Sequence, residues 1–320
     1  MQRRRRTAGQ NSSNNNNNNN NNKQKIYDIM SRYSHRRKLV DKIVSAFSIA
    51  CVLAAIIPLG SILLEVIKNG ASAISIQLLT QPPGPIGATL ENSGGIAPAI
   101  QGTLIVIGLA SAIGVPIGIL AGIYLSEFAS GTGLFPSAVR LFNDVLTGLP
   151  SVVIGIVGYV TIVLAIGSFS VLAGAFSLSI IMIPIVVRIT EETLKVVPNS
   201  IREAGYSLGI SRWKITLFIV LKSAKSGVLT GVVLAISRIA GETAPLIMTI
   251  LGTSLFFTSF NKPIDALPLR IWRVASQPYD TAHSQGWGAA LLLIIIVLIA
   301  SLVLRLLVQR KGFRIKAMNV

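Results

Sequence analysis

The chain is 320 residues long, 51% hydrophobic and only 13% charged, with a net charge of +17 from 29 Lys and Arg against 12 Asp and Glu. Several apolar runs exceed the roughly 18 residues of a spanning helix, which excludes an ordinary soluble enzyme and predicts an all-α integral membrane protein. The one cysteine, Cys51, excludes an intrachain disulfide, and His35 and His283 stand far apart without cysteine companions, which argues against a metal site.

Residues 1–42 read as a tail. Arg3 to Arg6 form a basic run and Asn14 to Asn22 a polar homopolymer. A segment with so little to bury cannot offset its ordering entropy and is expected to be disordered. Such a tail has the chemistry to touch RNA or anionic lipid, but the plainer reading is a cytoplasmic leader that helps to fix topology. It is not a plain signal peptide, because its first apolar run begins late and lacks a small-residue cleavage site.

Six spans are predicted next, over 43–67, 98–125, 139–166, 170–188, 226–251 and 287–308, within a transmembrane domain of residues 43–310 that a basic tail over 311–320 follows. Gly102, Gly108, Gly114, Gly118 and Gly122 run along the second span and predict a packing seam. Gly167 and Ser168 make so short a turn between the third and fourth spans that a re-entrant arrangement is an alternative. Pro58, Pro116 and Pro184 read as kinks.

Of the 29 basic residues, 11 precede Ile43, seven fall between Arg188 and Lys225, and five lie from Arg305 onward. Basic clusters alternating with spans follow the positive-inside rule and argue against a nucleic-acid footprint. Both termini and the loop between the fourth and fifth spans are therefore expected on the cytoplasmic side. Residues 68–97, rich in Gly and Pro, and residues 252–286, with Trp272 and Tyr279, should face outward. An amphipathic surface element is expected in the latter.

The basic loop over 195–222 carries Glu203-Ala204-Gly205-Tyr206-Ser207-Leu208-Gly209. Pro198 stops what precedes it, and Asn199 or Ser200 can cap a new helix. Glu203 in its early turns would complement the helix dipole, small Ala204 and Gly205 would permit close approach to a groove, and Gly209 would end it. Arg212, Trp213 and Lys214 then return the chain to the membrane surface. A short helix clear of the bilayer is what a soluble motor needs to grip. Taken by itself, the segment also fits an ordinary amphipathic loop.

In the fifth span, Arg238 and Glu242 interrupt an apolar run. Each charge near a bilayer centre costs about 2.5–3.5 kcal/mol on insertion scales, so such residues seldom face lipid. Four apart, they share a helix face and can pair. Gly241 thins the helix beside them, Ser237 and Thr243 add hydroxyls, and Pro245 can kink the span. An Arg fork suits an oxyanion, and a neighbouring carboxylate weakens the hold and can accept from a protonated anion. Arg188, at the inner end of the fourth span, is a candidate exit charge. The Arg238–Glu242 pair also fits a structural role pinning helices together, and Arg188 a topology anchor.

The loop resembles the EAA loop of bacterial ABC importer permeases, whose pattern is Glu-Ala-Ala, three residues, Gly, nine residues, Ile-x-Leu-Pro. Gly205 replaces the second Ala, Ile219 and Leu221 match, and Lys222 stands at the usual Pro. Gly94-Gly95-Ile96-Ala97-Pro98-Ala99-Ile100-Gln101-Gly102-Thr103-Leu104, Gly122-Ile123-Tyr124-Leu125-Ser126-Glu127-Phe128 and Leu149-Pro150-Ser151-Val152-Val153-Ile154-Gly155 are similar to segments of phosphate-type permeases. Ser237-Arg238-Ile239-Ala240-Gly241-Glu242-Thr243-Ala244-Pro245-Leu246 resembles the PstA-type permease family most closely.

The resemblance covers roughly residues 40–310. It implies a six-helix type I ABC importer transmembrane domain with a cytoplasmic coupling helix in a bacterial inner membrane. The implied partners are a homologous PstC-type permease, a PstB-type ATPase dimer and an extracytoplasmic PstS-type phosphate-binding protein, with ATP and Mg on the ATPase and no cofactor on this chain. In that frame Glu203, Ala204, Gly205, Ser207, Leu208 and Gly209 would contact the ATPase, while Arg238, Glu242, Arg188, Thr243 and Ser237 would line the substrate path. No Gly-x-x-x-x-Gly-Lys-Ser/Thr loop and no nucleophile–His–acid constellation occurs, so this chain is not expected to be an enzyme. A permease for sulfate or molybdate, a phosphate-sensing membrane scaffold and a secondary transporter without a motor are the alternatives.

Overall fold

A computed structural model describes residues 40–85, 94–129 and 133–312. Most of the 1–42 tail and residues 313–320 of the basic tail lie outside the described residues. The helices, in chain order, are α1 Val40–Ala73, α2 Ile76–Thr80, α3 Ala97–Phe128, α4 Leu134–Gly148 and α5 Ser151–Ile166. After them come α6 Val171–Lys195, α7 Asn199–Ser207, α8 Arg212–Ala240, α9 Ala244–Thr249, α10 Leu267–Ala275 and α11 Asp280–Gly312. Among the described residues the only extended pairings are isolated bridges, Pro83 with Gly94 and Leu251 with Ile264.

Five helices, α1, α3, α6, α8 and α11, are long and apolar enough to cross a membrane, and the α4–α5 pair makes a sixth when counted together. The protein is thus a multi-pass membrane protein. Two predicted spans need correction. The third is a broken element, with α4 and α5 meeting at 104°. Leu149 and Pro150 are extended there, since the residue before a proline avoids the α region and Pro150 lacks the N–H a continuing helix needs. The fifth span begins earlier than predicted and ends at Ala240, so Gly241 to Thr243 form a break before α9.

The chain divides into two compact units, residues 1–64 and 65–320. In the first, the described stretch of α1 exposes Val44, Phe47, Val52, Ile56, Leu59 and Ile62. A helix apolar on all sides is one made to meet lipid or another protein.

The second unit is built on the α3–α6 pair. A Cβ at Gly114 would fall 3.0 Å from Met182 Sδ, one at Gly118 2.6 Å from Val186 Cβ, and one at Gly122 2.6 Å from Thr190 Cβ. From 114 to 122 every fourth residue of α3 is therefore glycine because α6 occupies the space, the small-residue packing that membrane helices favour. Gly108 meets nothing and lies outside the seam. Around this seam Val106, Ala110, Leu178, Met182, Ile239, Leu246 and Ile250 form the main core.

The end of α9 and the segment between it and α10 supply backbone partners that helix starts lack. Ser170, Val171 and Leu172 donate N–H bonds to the carbonyls of Thr249, Lys262 and Phe260 at 3.0–3.2 Å. Thr103 Oγ1 accepts from Leu267 N–H at 2.7 Å, and Gln101 Oε1 from Phe257 N–H at 2.9 Å. The expected amphipathic element is α10, which buries Leu267, Leu269, Arg270 and Val274 and exposes Trp272.

Candidate functional site

The break after α8 holds the charges singled out by sequence. Gly241 leaves the helix, and Glu242 N–H turns back to Ile239 O at 3.2 Å. α9 then starts with Pro245 in its first turn, where a missing N–H costs nothing. Glu242 therefore lies beyond the helix end and not inside a continuous span. Its carboxylate still pairs with Arg238, NH2 to Oε1 at 3.1 Å, with the Glu242 side chain 10% exposed and Arg238 60%. The guanidinium keeps donors to spare beside a buried acceptor, a geometry able to bind an oxyanion bidentately and release it.

The remaining neighbours have other partners. Ser237 Oγ donates to Val233 O at 2.9 Å and lies 3.4 Å from Ser301 Oγ, tying α8 to α11. Thr243 carries the carbonyl that accepts from Ile247 N–H at 3.1 Å, opening α9. The helix after the break, α9, packs on α5, where a Cβ at Gly155 would come 2.8 Å from Pro245 Cα.

Arg188 lies elsewhere. α6 continues to Lys195, so Arg188 is not at its end. It bonds Glu192 at 3.1 Å on an exposed face. It lines a cavity of about 210 Å³ with Arg140, Asn143, Asp144, Glu191 and Lys195, a set that does not include Arg238. Glu191 holds Arg140 at 3.0 Å and Lys195 at 2.6 Å, and Arg140 also donates to Leu125 O. Sequence reading missed this cluster. The Glu191–Lys195 spacing is visible in the sequence, but Arg140 comes from α4, 51 residues away.

The loop helix α7 also differs in detail from expectation. Pro198 occupies the cap position and no side chain caps the helix. Asn199 Oδ1 instead accepts from Arg202 at 3.3 Å. Glu203 falls past the first turn, and its carbonyl accepts from Ser207 Oγ at 2.9 Å. Glu203, Ala204, Tyr206, Ser207, Leu208 and Gly209 are exposed, whereas Gly205 is buried. A Cβ at Gly205 would come 2.8 Å from Ile215 Cδ1, so its small size serves packing within the chain and not approach to an outside groove. Gly209, at φ +69°, ends the helix in the left-handed region that glycine enters freely.

Two arginines of the loop grip the end of α3. There the helix widens over Tyr124–Phe128, with Ala129 N–H reaching back five residues to Tyr124 O at 2.9 Å. Glu127 in this turn is buried. Arg202 clasps both of its carboxylate oxygens, NH2 to Oε1 at 2.6 Å and Nε to Oε2 at 3.0 Å. Arg202 also donates to Leu194 O at 2.9 Å and Val197 O at 2.6 Å, capping the end of α6. The Glu127 hydrogen bond, set against the cost of burial, raises the Arg202 pKa above its ordinary value. Arg212 donates to Glu127 O and stacks 5.3 Å over the Phe128 ring. Neither Glu127 nor Arg202 stands out in sequence, because their 75-residue separation hides the pairing.

Residues 114–314 match the family described as binding-protein-dependent transport system inner membrane component. The chain is 40% identical over 276 residues to the phosphate transport system permease protein PstA of Haemophilus influenzae, covering 86% of this chain and 96% of that protein. It is 36% identical to a probable PstA of Methanocaldococcus jannaschii, covering 84% and 94%. It is 33% identical to PstA 1 of Mycobacterium tuberculosis, covering 82% and 85%. Among solved structures, a bacterial alginate ABC transporter in complex with alginate pentasaccharide-bound periplasmic protein shares the fold with TM-score 0.58 at 16% identity, over 88% of this chain and 97% of that one. The inward-facing MetNI methionine ABC transporter matches with TM-score 0.53 at 16% identity, over 68% and 94%.

Proposed function

This chain belongs to the family of binding-protein-dependent transport system inner membrane components, and from that premise we infer that it is the permease subunit of an ATP-driven importer of inorganic phosphate. Identity of 40% across 96% of the Haemophilus influenzae phosphate permease carries the substrate assignment. The chain is a transport component and not an enzyme. Its partners are a second, PstC-type permease, a PstB-type ATPase dimer that binds ATP and Mg, and an extracytoplasmic PstS-type phosphate-binding protein. Both termini and α7 face the cytoplasm of a cell whose inner membrane holds the complex, in keeping with the basic residues clustered there.

The exposed face of α7, from Glu203 to Gly209, docks the ATPase, and closure of the ATPase dimer re-angles the spans to give alternating access. Phosphate released by the binding protein passes between the two permeases near Arg238. The exposed guanidinium takes two phosphate oxygens, while Glu242 accepts from a P–OH group and keeps the hold weak enough for release. A fully ionised sulfate has no proton to offer Glu242, so the pair favours phosphate. Arg188 is placed to meet the anion nearer the cytoplasmic side, with Ser237 and Thr243 as lesser parts of the path.

The test is radiolabelled phosphate uptake by proteoliposomes of the complete complex, with ATP on the ATPase side, comparing wild type with Arg238→Gln and adding competing sulfate. ATP-dependent uptake that resists sulfate and is lost in an assembled, ATP-hydrolysing Arg238→Gln complex is expected. Uptake saturated by sulfate and not phosphate would overturn the substrate.

A further inference from the structure

Helix α7 is joined covalently to α6 and α8, but it touches α3 only through side chains. Its polar contact is concentrated on one residue, beside an apolar cluster that includes Ile119 and Ile123 of α3 and Ile201 of α7. Glu127 receives Arg202 from α7 on both carboxylate oxygens and Arg212 from the first turn of α8 on its carbonyl. Both arms of the loop, on either side of its exposed face, therefore close on the same turn of α3. The Arg202 and Glu127 side chains are 14% and 5% exposed, so water does little to loosen the pair. The turn they hold is the wide one, where the hydrogen-bond register changes. Such turns are frequent at functional positions, and a register change can absorb or pass on a displacement. Beyond it, α3 runs along α6 through the glycine seam, so a pull at Glu127 reaches the core of the unit.

We propose that Glu127, gripped by Arg202 and Arg212, is the joint that passes movement of α7 into span α3. Arg202 is a positioning residue on this assignment, which rests on the permease reading above. Coupling of this kind requires a contact that survives the movement. A bidentate guanidinium–carboxylate bond fixes both distance and angle, which a hydrophobic contact that can slide does not.

The test uses the complete complex with Glu127→Gln, Arg202→Lys and the double variant Glu127→Gln/Arg202→Lys. Two quantities are read: phosphate imported per ATP hydrolysed, and the ATP-dependent change in amide hydrogen exchange over residues 120–128 and 199–207. The joint predicts that Glu127→Gln still hydrolyses ATP while phosphate per ATP falls about tenfold, a coupling change of about 1.4 kcal/mol. It also predicts that ATP still alters exchange in 199–207 but no longer in 120–128. The double variant should be no worse than the worse single one, as for groups acting as a pair. Unchanged phosphate per ATP, or an unchanged exchange response in 120–128, would overturn the proposal. If Glu127→Gln does not assemble, Arg202→Lys carries the same two readouts. If wild type imports no phosphate, the substrate reading fails while the exchange response still decides on the joint.

Discussion

Two ion pairs, each linking an Arg to a Glu, differ in what surrounds them. Arg202–Glu127 joins residues 75 apart, is largely closed from water, with Glu127 buried and Arg202 14% exposed, and leaves Arg202 with carbonyl partners for its other donors. Arg238–Glu242 joins residues four apart across a helix break, by one contact at 3.1 Å, with the guanidinium 60% exposed. A charge whose donors are all occupied inside the protein holds elements together. A charge with donors left over, on the face of a span, is free to take a ligand. The same two residue types thus serve a mechanical end and a chemical one, and satisfaction of the donors separates them.

The largest expected effect is on stability. Glu127→Ala leaves Arg202 buried without its carboxylate, which typically costs about 3–5 kcal/mol. Thermal unfolding of the purified complex should show this as a large fall in Tm. Arg238→Gln keeps an amide donor for the buried Glu242, so it should cost less, about 1–2 kcal/mol, yet lower phosphate uptake by about tenfold or more. A large loss of stability in Arg238→Gln, or none in Glu127→Ala, would erase the contrast.

Glu242→Gln sharpens the same contrast in a different measurement. Arg238 then faces a phosphate without a competing carboxylate, so apparent affinity rises while maximal uptake falls. Sulfate, no longer disfavoured, should compete better. Unaltered sulfate competition would remove Glu242 from recognition and leave it as a helix-pinning residue. A smaller effect is expected at Gly209, where an alanine Cβ in the left-handed region costs about 1–2 kcal/mol. A Gly209→Ala complex should show weaker binding to the ATPase in co-purification, with phosphate recognition unchanged.

Much of this architecture is legible in sequence because lipid imposes simple rules. Long apolar runs and the glycines at 114, 118 and 122 of α3 each follow from one physical demand. The failures occur where the chain breaks a rule locally. A run of apolar residues over 139–166 conceals the corner at Leu149–Pro150, because hydropathy is blind to helix direction. The apolar run over 226–251 likewise conceals the end of α8 at Ala240, although Gly241 and Pro245 together mark it. Arg238 and Glu242 are conspicuous because charge is rare in a span. Glu127 lies at a helix end and Arg140 and Arg202 on the short helices α4 and α7, where charge is ordinary, and only tertiary pairing distinguishes them.

The last contrast concerns a carboxylate with neither kind of partner. Asp265 is fully buried between α9 and α10, accepts from Ala266 N–H at 3.0 Å through Oδ1, and has no partner on Oδ2. Burial raises its pKa above the ordinary 3.8, and the nearby Arg273 and Arg270 only partly oppose that. The folded protein therefore holds a proton that the unfolded chain gives up once the pH passes 3.8. It follows that this group's contribution to stability declines as pH climbs from there through the folded value. Asp265→Asn keeps an acceptor for Ala266 and cannot titrate. The difference in Tm between Asp265→Asn and wild type should therefore grow as pH rises above 3.8, small in size but positive in slope. A flat difference would mean that Arg270 and Arg273 hold the carboxylate ionised as firmly as water does. Asp265 would then belong with Glu127, as a charge fully met inside the protein.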